Sequence, residues 1–115
     1  MRILGLSLTV LTMATLAACS DSTGNGSTGG RSTTITVSNN QFMPNPDTMA
    51  AGTVTFTWAA GAVTHNVTWL TGPTSPTGSG NRSSGSADYT ASVVQGTYTY
   101  HCTIHGGMNG TIVVE

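Results

Sequence analysis

The 115-residue chain contains no lysine, and charged side chains make up only 6% of it. With a formal net charge of −1 it has no basic stripe with which to neutralise phosphates or hold an anionic membrane surface, so nucleic acid is not expected as a partner. Aromatic residues are equally scarce at 6%, hydrophobic residues reach 37%, and Gly, Thr and Ser are abundant. Such a lean composition leaves room for one small core and implies that part of the chain does not fold. There are two cysteines, Cys19 and Cys102, and no helical period as strong as the strand period described below.

What is present begins with a leader. Met1-Arg2 precedes an apolar run over residues 3–18 that is broken only by Gly, Ser and Thr and ends in Leu16-Ala17-Ala18-Cys19. This is the anatomy of a secretory signal, too short for a stable membrane span. The tetrapeptide resembles the bacterial lipoprotein signal, which implies cleavage after residue 18 and a lipid on Cys19. Residues 1–18 are therefore expected to be a signal peptide. Residues 19–32 would be the lipidated Cys and a Gly/Ser/Thr linker, whose ends sit on the order of 20 Å apart. The protein would be exported and anchored to the cell-envelope membrane, on its periplasmic or cell-surface side. With Cys19 committed to lipid, Cys102 has no disulfide partner. A lone thiol in an exported domain is expected to be buried, catalytic or metal-bound.

Residues 33–115 read in period two. Ile35 and Val37 alternate with threonines, as do Val54, Phe56 and Trp58. A following segment sets His65, Val67 and Trp69 on one face and Thr64, Asn66 and Thr68 on the other. Tyr89, Ala91 and Val93 follow, then Tyr98, Tyr100 and Cys102, and a last strand from Thr111 to Val114. Six to eight short strands punctuated by glycines predict an all-β domain, a Greek-key β-sandwich or barrel. Residues 71–86, rich in Gly, Ser, Thr and Pro, read as a long surface loop.

The parity of these strands points His65 and Cys102 inward from different strands. Cys102-Thr103-Ile104-His105-Gly106-Gly107-Met108 then places an imidazole and a thioether on a tight loop before the last strand. Singly, Cys102 and Met108 would read as core hydrophobes and His65 as a hydrogen-bonded core histidine. Together, thiolate, two imidazoles and a thioether form the His₂Cys set with a weak Met that copper uses for electron transfer. Zinc is the rival metal, but a structural zinc site wants four Cys or His ligands, and Met108 is a poor fourth.

The segment from Thr97 to Val114 resembles the C-terminal signature of the cupredoxins, the blue copper proteins, and Cys-x₂-His-x₂-Met is similar to the short ligand loop of their amicyanin-like members. His65-Asn66-Val67 matches the upstream His-Asn-Val of that family, and Phe42-Met43-Pro44 fits its N-terminal half. The resemblance implies one copper held by His65, Cys102 and His105, with Met108 as axial ligand and Asn66 tying the two ligand loops together. Gly106-Gly107 stands where amicyanin-type loops usually carry a proline. By the same resemblance the domain is an electron carrier, not an enzyme: a monomer that serves redox partner proteins at the membrane through its anchor at Cys19. A copper storage or delivery protein is the second reading. The third is a subunit of a copper oxidoreductase with His101, beside Cys102, at a second copper; parity turns His101 away from Cys102 and argues for a surface role.

Overall fold

The computed structural model describes residues 30–115; the expected signal peptide, Cys19 and linker residues 20–29 lie outside the described residues. Two sheets pack face to face. The first orders β1 (Gly30–Arg31), β4 (Asp47–Met49), β9 (Asn109–Val114), β8 (Gly96–His101) and β6 (Thr68–Thr71). The second orders β3 (Gln41–Met43), β2 (Thr34–Ser38), β5 (Gly52–Trp58) and β7 (Tyr89–Val93). The expected all-β sandwich is what forms, with eight strands of three residues or more and the two-residue β1.

Alternation explains most of these strands. Threonines fill the outward positions of β2 and β5, where a β-branched side chain suits the pleat, while Ile35, Val37, Val54, Phe56 and Trp58 are buried. The parallel pairing of β2 with β5 sets Ile35 opposite Phe56 and Val37 opposite Trp58, so the large apolar residues fall on one face. Tyr89, Ala91 and Val93 of β7, Tyr98 and Tyr100 of β8, and Ile112 and Val114 of β9 complete the core. Its centre is aromatic. Phe56 meets the rings of Tyr100 and Trp69 edge-on at centroid distances of 5.2 and 5.9 Å, and Phe42 meets Tyr100 at 4.8 Å. Each such pair adds about 0.5–1.5 kcal/mol beyond area burial, so a few aromatics are enough to hold a small sandwich together.

One expectation is corrected. The segment from Thr64 to Trp69 does not alternate as one strand: regular pairing begins only at Thr68, and Asn66, expected to face outward, is buried beside His65 and Val67. The reason lies in residues 71–86, which form the expected surface loop but double back along this segment. His65 exchanges backbone hydrogen bonds with Arg82 at 2.8 and 2.9 Å, Ser79 N–H donates to the Val67 carbonyl at 3.0 Å, and Ser79 is itself buried. The Arg82 guanidinium lies over the Trp58 and Tyr89 rings at 5.8 and 5.9 Å and donates to the carbonyls of Ser79, Ala87 and Asp88. Gly30 and Arg31 pair in parallel with Asp47 and Thr48, and Ser32 N–H donates to the buried Asp47 carboxylate at 3.1 Å.

Gly110 sits opposite Tyr100 across β8 and β9, and a Cβ there would stand 2.2–2.5 Å from the phenol ring and its hydroxyl. Such overpacking costs about 1–3 kcal/mol, because the ring is already wedged among Phe42, Phe56 and Trp69. Gly110→Ala should therefore lower the unfolding free energy of the metal-free protein by about 1–3 kcal/mol, read as a lower urea midpoint. Gly106→Ala, where a Cβ meets nothing within 4 Å, should leave the midpoint nearly unchanged. Equal midpoints for the two variants would contradict this packing.

Candidate metal centre

His65, Cys102 and His105 converge although they come from separate segments. One ligand atom from each lies within 4.8 Å of the others. His65 Nδ1 is 3.9 Å from the Cys102 sulfur, His105 Nδ1 is 3.8 Å from the same sulfur, and the two imidazole centroids are 4.5 Å apart. A single ion about 2.0–2.1 Å from nitrogen and about 2.3 Å from sulfur, the distances a first-row divalent ion takes, bridges such separations without moving the backbone. His65 and Cys102 are buried and His105 is half-buried, so one imidazole edge alone approaches solvent.

Local structure accounts for each position. Cys102 follows directly on β8, which carries Tyr98 and Tyr100 inward, so the sulfur continues the core-facing row. The loop after it is closed by its own backbone: Cys102 N–H donates to the Met108 carbonyl at 3.0 Å and Met108 N–H to the His105 carbonyl at 3.3 Å. Gly107, at φ +83°, adopts the left-handed turn that brings the chain back, a conformation glycine takes without strain. Met108 is buried at the end of this loop, beside Cys102 and His105 in backbone contact.

Asn66 joins the two ligand-bearing segments. Its side-chain nitrogen donates to Thr103 Oγ1 at 2.7 Å and to Asn81 Oδ1 at 3.0 Å. Its oxygen accepts from Thr103 N–H and Thr68 Oγ1, each at 3.0 Å. Its own backbone N–H points at the Cys102 sulfur, 3.5 Å away, where it favours a thiolate. Three residues of this arrangement, Asn39, Asn81 and Thr103, went unsuspected in the sequence, because single Asn and Thr residues in a Thr-rich chain carry no periodic signal. Asn39 Oδ1 lies 3.2 Å from His65 Nε2 and accepts the Val63 N–H at 2.9 Å. His101 is half-buried on β8, outside the His65–Cys102–His105 group.

Burial first, and then the neighbouring His105 ring, push the pKa of His65 below its ordinary 6.5. The imidazole is therefore neutral and ligand-competent near pH 7. The donor set itself selects the metal. One thiolate, two imidazoles and a nearby thioether, with no carboxylate in the group, suit copper better than zinc or the oxygen-preferring ions. The residues fit one type 1 copper.

Comparison with known proteins agrees with this geometry. Among solved structures, a copper-containing nitrite reductase from Thermus scotoductus SA-01 superposes with a TM-score of 0.61 at 26% identity over 71% of this chain, which spans only 22% of the reductase. A reduced-state variant of amicyanin superposes with a TM-score of 0.57 at 27% identity, over 71% of this chain and 80% of amicyanin. A purple cupredoxin from Nitrosopumilus maritimus shares the fold with a TM-score of 0.61 over 98% of its length, at 21% identity. No family model and no curated protein matches the chain.

The depressed pKa of His65 has a consequence for the metal-free protein. The unfolded chain takes up a proton at His65 near 6.5, whereas the folded chain resists it, so stability should decline as pH falls from about 6.5 until folded His65 itself protonates. Asp47 acts in the opposite sense at lower pH, since burial raises its carboxyl pKa and the folded chain then binds the proton more readily. Urea midpoints measured from pH 7.5 to 5.5 should therefore fall for the wild type and fall less for His65→Gln. A wild-type midpoint that is flat or rising across this window would contradict the assignment.

Proposed function

We propose that this chain, a cupredoxin by fold and ligand set, is an envelope electron carrier that passes single electrons between redox partner proteins through one type 1 copper. The observation that carries this reading is the convergence of His65, Cys102 and His105 within 4.8 Å inside a sandwich that buries two of the three. Bound copper supplies a reversible one-electron couple. The residues supply the rest. Cys102 would offer the thiolate, His65 the buried imidazole, and His105 the imidazole nearest solvent, while Met108 would add a weak thioether donor that tunes the potential. Because these groups are held by the β8–β9 loop, by Asn66 and by the doubled-back residues 79–82, the site need not rearrange between oxidation states.

The surface around His105 suits brief contact with a partner. Ile104 next to it, Val63 two residues before His65, and Met43 beside the Asn45 that binds the Asn109 carbonyl are all exposed. Few charges compete, since Asp47 is buried. Docking would be small, apolar and transient. In this reading the chain is exported as a monomer and held to the membrane by lipid on Cys19, which raises its local concentration near membrane partners. No helix among the described residues is long and apolar enough to cross a membrane. Two burials argue against copper delivery as the main role, because His65 and Cys102 cannot hand over metal without opening the core.

Reconstitution with Cu(II) tests the assignment. The protein should bind one copper per chain and be intensely coloured by sulfur-to-copper charge transfer, and Cys102→Ser should abolish the colour while leaving the sheet signature of the fold intact. A colourless wild-type adduct, or stoichiometric zinc in protein isolated from its native cell, would overturn it. Electron exchange with a small apolar-surfaced partner should change less than about threefold between 50 and 200 mM salt, as weak steering requires. A steep fall in stopped-flow rates with salt would point to a charged docking patch instead.

A further inference from the structure

His65 is held from behind as well as from in front. Its Nε2 lies 3.2 Å from Asn39 Oδ1. An Asn side chain can present either its oxygen or its nitrogen, and a histidine nitrogen can donate or accept, so that contact alone is ambiguous. The Val63 backbone removes the ambiguity, because its N–H reaches the same Asn39 atom at 2.9 Å and a backbone N–H requires an acceptor there. The atom is therefore oxygen, and His65 Nε2 carries the hydrogen it donates. A neutral imidazole has one N–H, so His65 Nδ1 is left with a lone pair, and it is Nδ1 that faces the Cys102 sulfur at 3.9 Å.

Resting on the copper reading above, we infer that Asn39 is the positioning residue of the site: it fixes the His65 tautomer and ring orientation so that the metal-facing nitrogen is already unprotonated before metal arrives. Asn39 can do this because of where the fold puts it. It occupies the two-residue turn between β2 and β3, set by the pairing of Ser38 with Gln41, and Asn40 takes the left-handed φ of +65° that closes the turn. The turn belongs to the four-stranded sheet, whereas Cys102 and His105 extend from β8 of the five-stranded sheet. Asn39 therefore anchors His65 to one sheet while Asn66 anchors the same segment to the other. The Val63 bond holds the Asn39 amide in place when the imidazole turns, so the lock does not depend on the metal.

Long-range ¹H–¹⁵N NMR of the metal-free wild type at pH 7.5 reads the tautomer directly. Nε2 of His65 should carry the proton in nearly every molecule, with Nδ1 showing the shift of an unprotonated nitrogen. Asn39→Ala removes the acceptor and should yield a mixed tautomer population and faster exchange of the Nε2 proton. Its Cu(II) affinity should fall about 10–100-fold, the range typical for losing the group that orients a ligating histidine. Asn39→Asp keeps an oxygen in place and should keep the wild-type tautomer, which a general loosening of the turn would not. A wild-type protein protonated at Nδ1, an Asn39→Ala protein that keeps the pure Nε2–H form and copper affinity within twofold, or an Asn39→Asp protein that loses the tautomer would each overturn the inference. Should Asn39→Ala fail to fold, the wild type and Asn39→Asp still decide it. A correct tautomer in a protein that gives no coloured Cu(II) adduct would sink the copper reading while leaving the tautomer lock standing.

Discussion

The side-chain amide of Asn66 is the interaction on which the arrangement depends. It makes four hydrogen bonds, two with Thr103 on the loop after β8 and two with Asn81 and Thr68, while its backbone N–H faces the Cys102 sulfur. A buried amide left partly unpaired costs about 1–3 kcal/mol, so Asn66 is either fully engaged or a liability. Full engagement is possible only when the His65 segment and the Cys102 loop stand at one fixed distance. The same distance brings His65 Nδ1 and His105 Nδ1 to within 3.9 Å of sulfur. A polar network has thus replaced sheet pairing as the device that sets the register between the two segments.

That replacement explains why residues 64–67 leave the sheet. A regular strand would turn Asn66 to solvent and expose its partners. Instead the backbone of this segment pairs with the doubled-back residues 79–82, so burying Asn66 leaves its neighbours' N–H and C=O groups satisfied. Arg82, stacked between Trp58 and Tyr89, fastens the doubled-back chain to the core. The charge is not wasted on the surface, and the domain spends one of its few cations on holding the wall of its metal centre.

The centre draws its parts from both sheets, and this gives it stiffness. Cys102, His105 and Met108 extend from the β8–β9 connection, closed by the Cys102–Met108 and Met108–His105 backbone bonds. His65 is reached from the other side by the turn at Asn39. Relative motion of the donors would require the sheets to slide, and the aromatic centre of Phe42, Phe56, Trp69 and Tyr100 opposes that. Copper held there would change charge with its ligands nearly fixed, so under the proposed role the packing of the core would keep reorganisation small.

By itself the sequence determined the all-β class, the inward faces of β2, β5, β7 and β8, and the metal-binding character of His65, Cys102, His105 and Met108. Each of these follows from period two or from the donor chemistry of a short loop, and both are local properties of the chain. Asn66 was legible only through its place in a recurring tripeptide; its burial was not, since alternation pointed it outward. What tertiary structure alone decided is which small polar residues meet. Asn39 lies 26 residues from His65, and Thr103 lies 37 from Asn66, so no local pattern announces either contact. Asn81 and Ser79 sit in a stretch whose composition reads as loop, because the physical reason for its order is the unpaired backbone of a segment more than ten residues earlier. Hydrophobic alternation is written along the strand, but hydrogen-bond satisfaction is settled only after the strands have met.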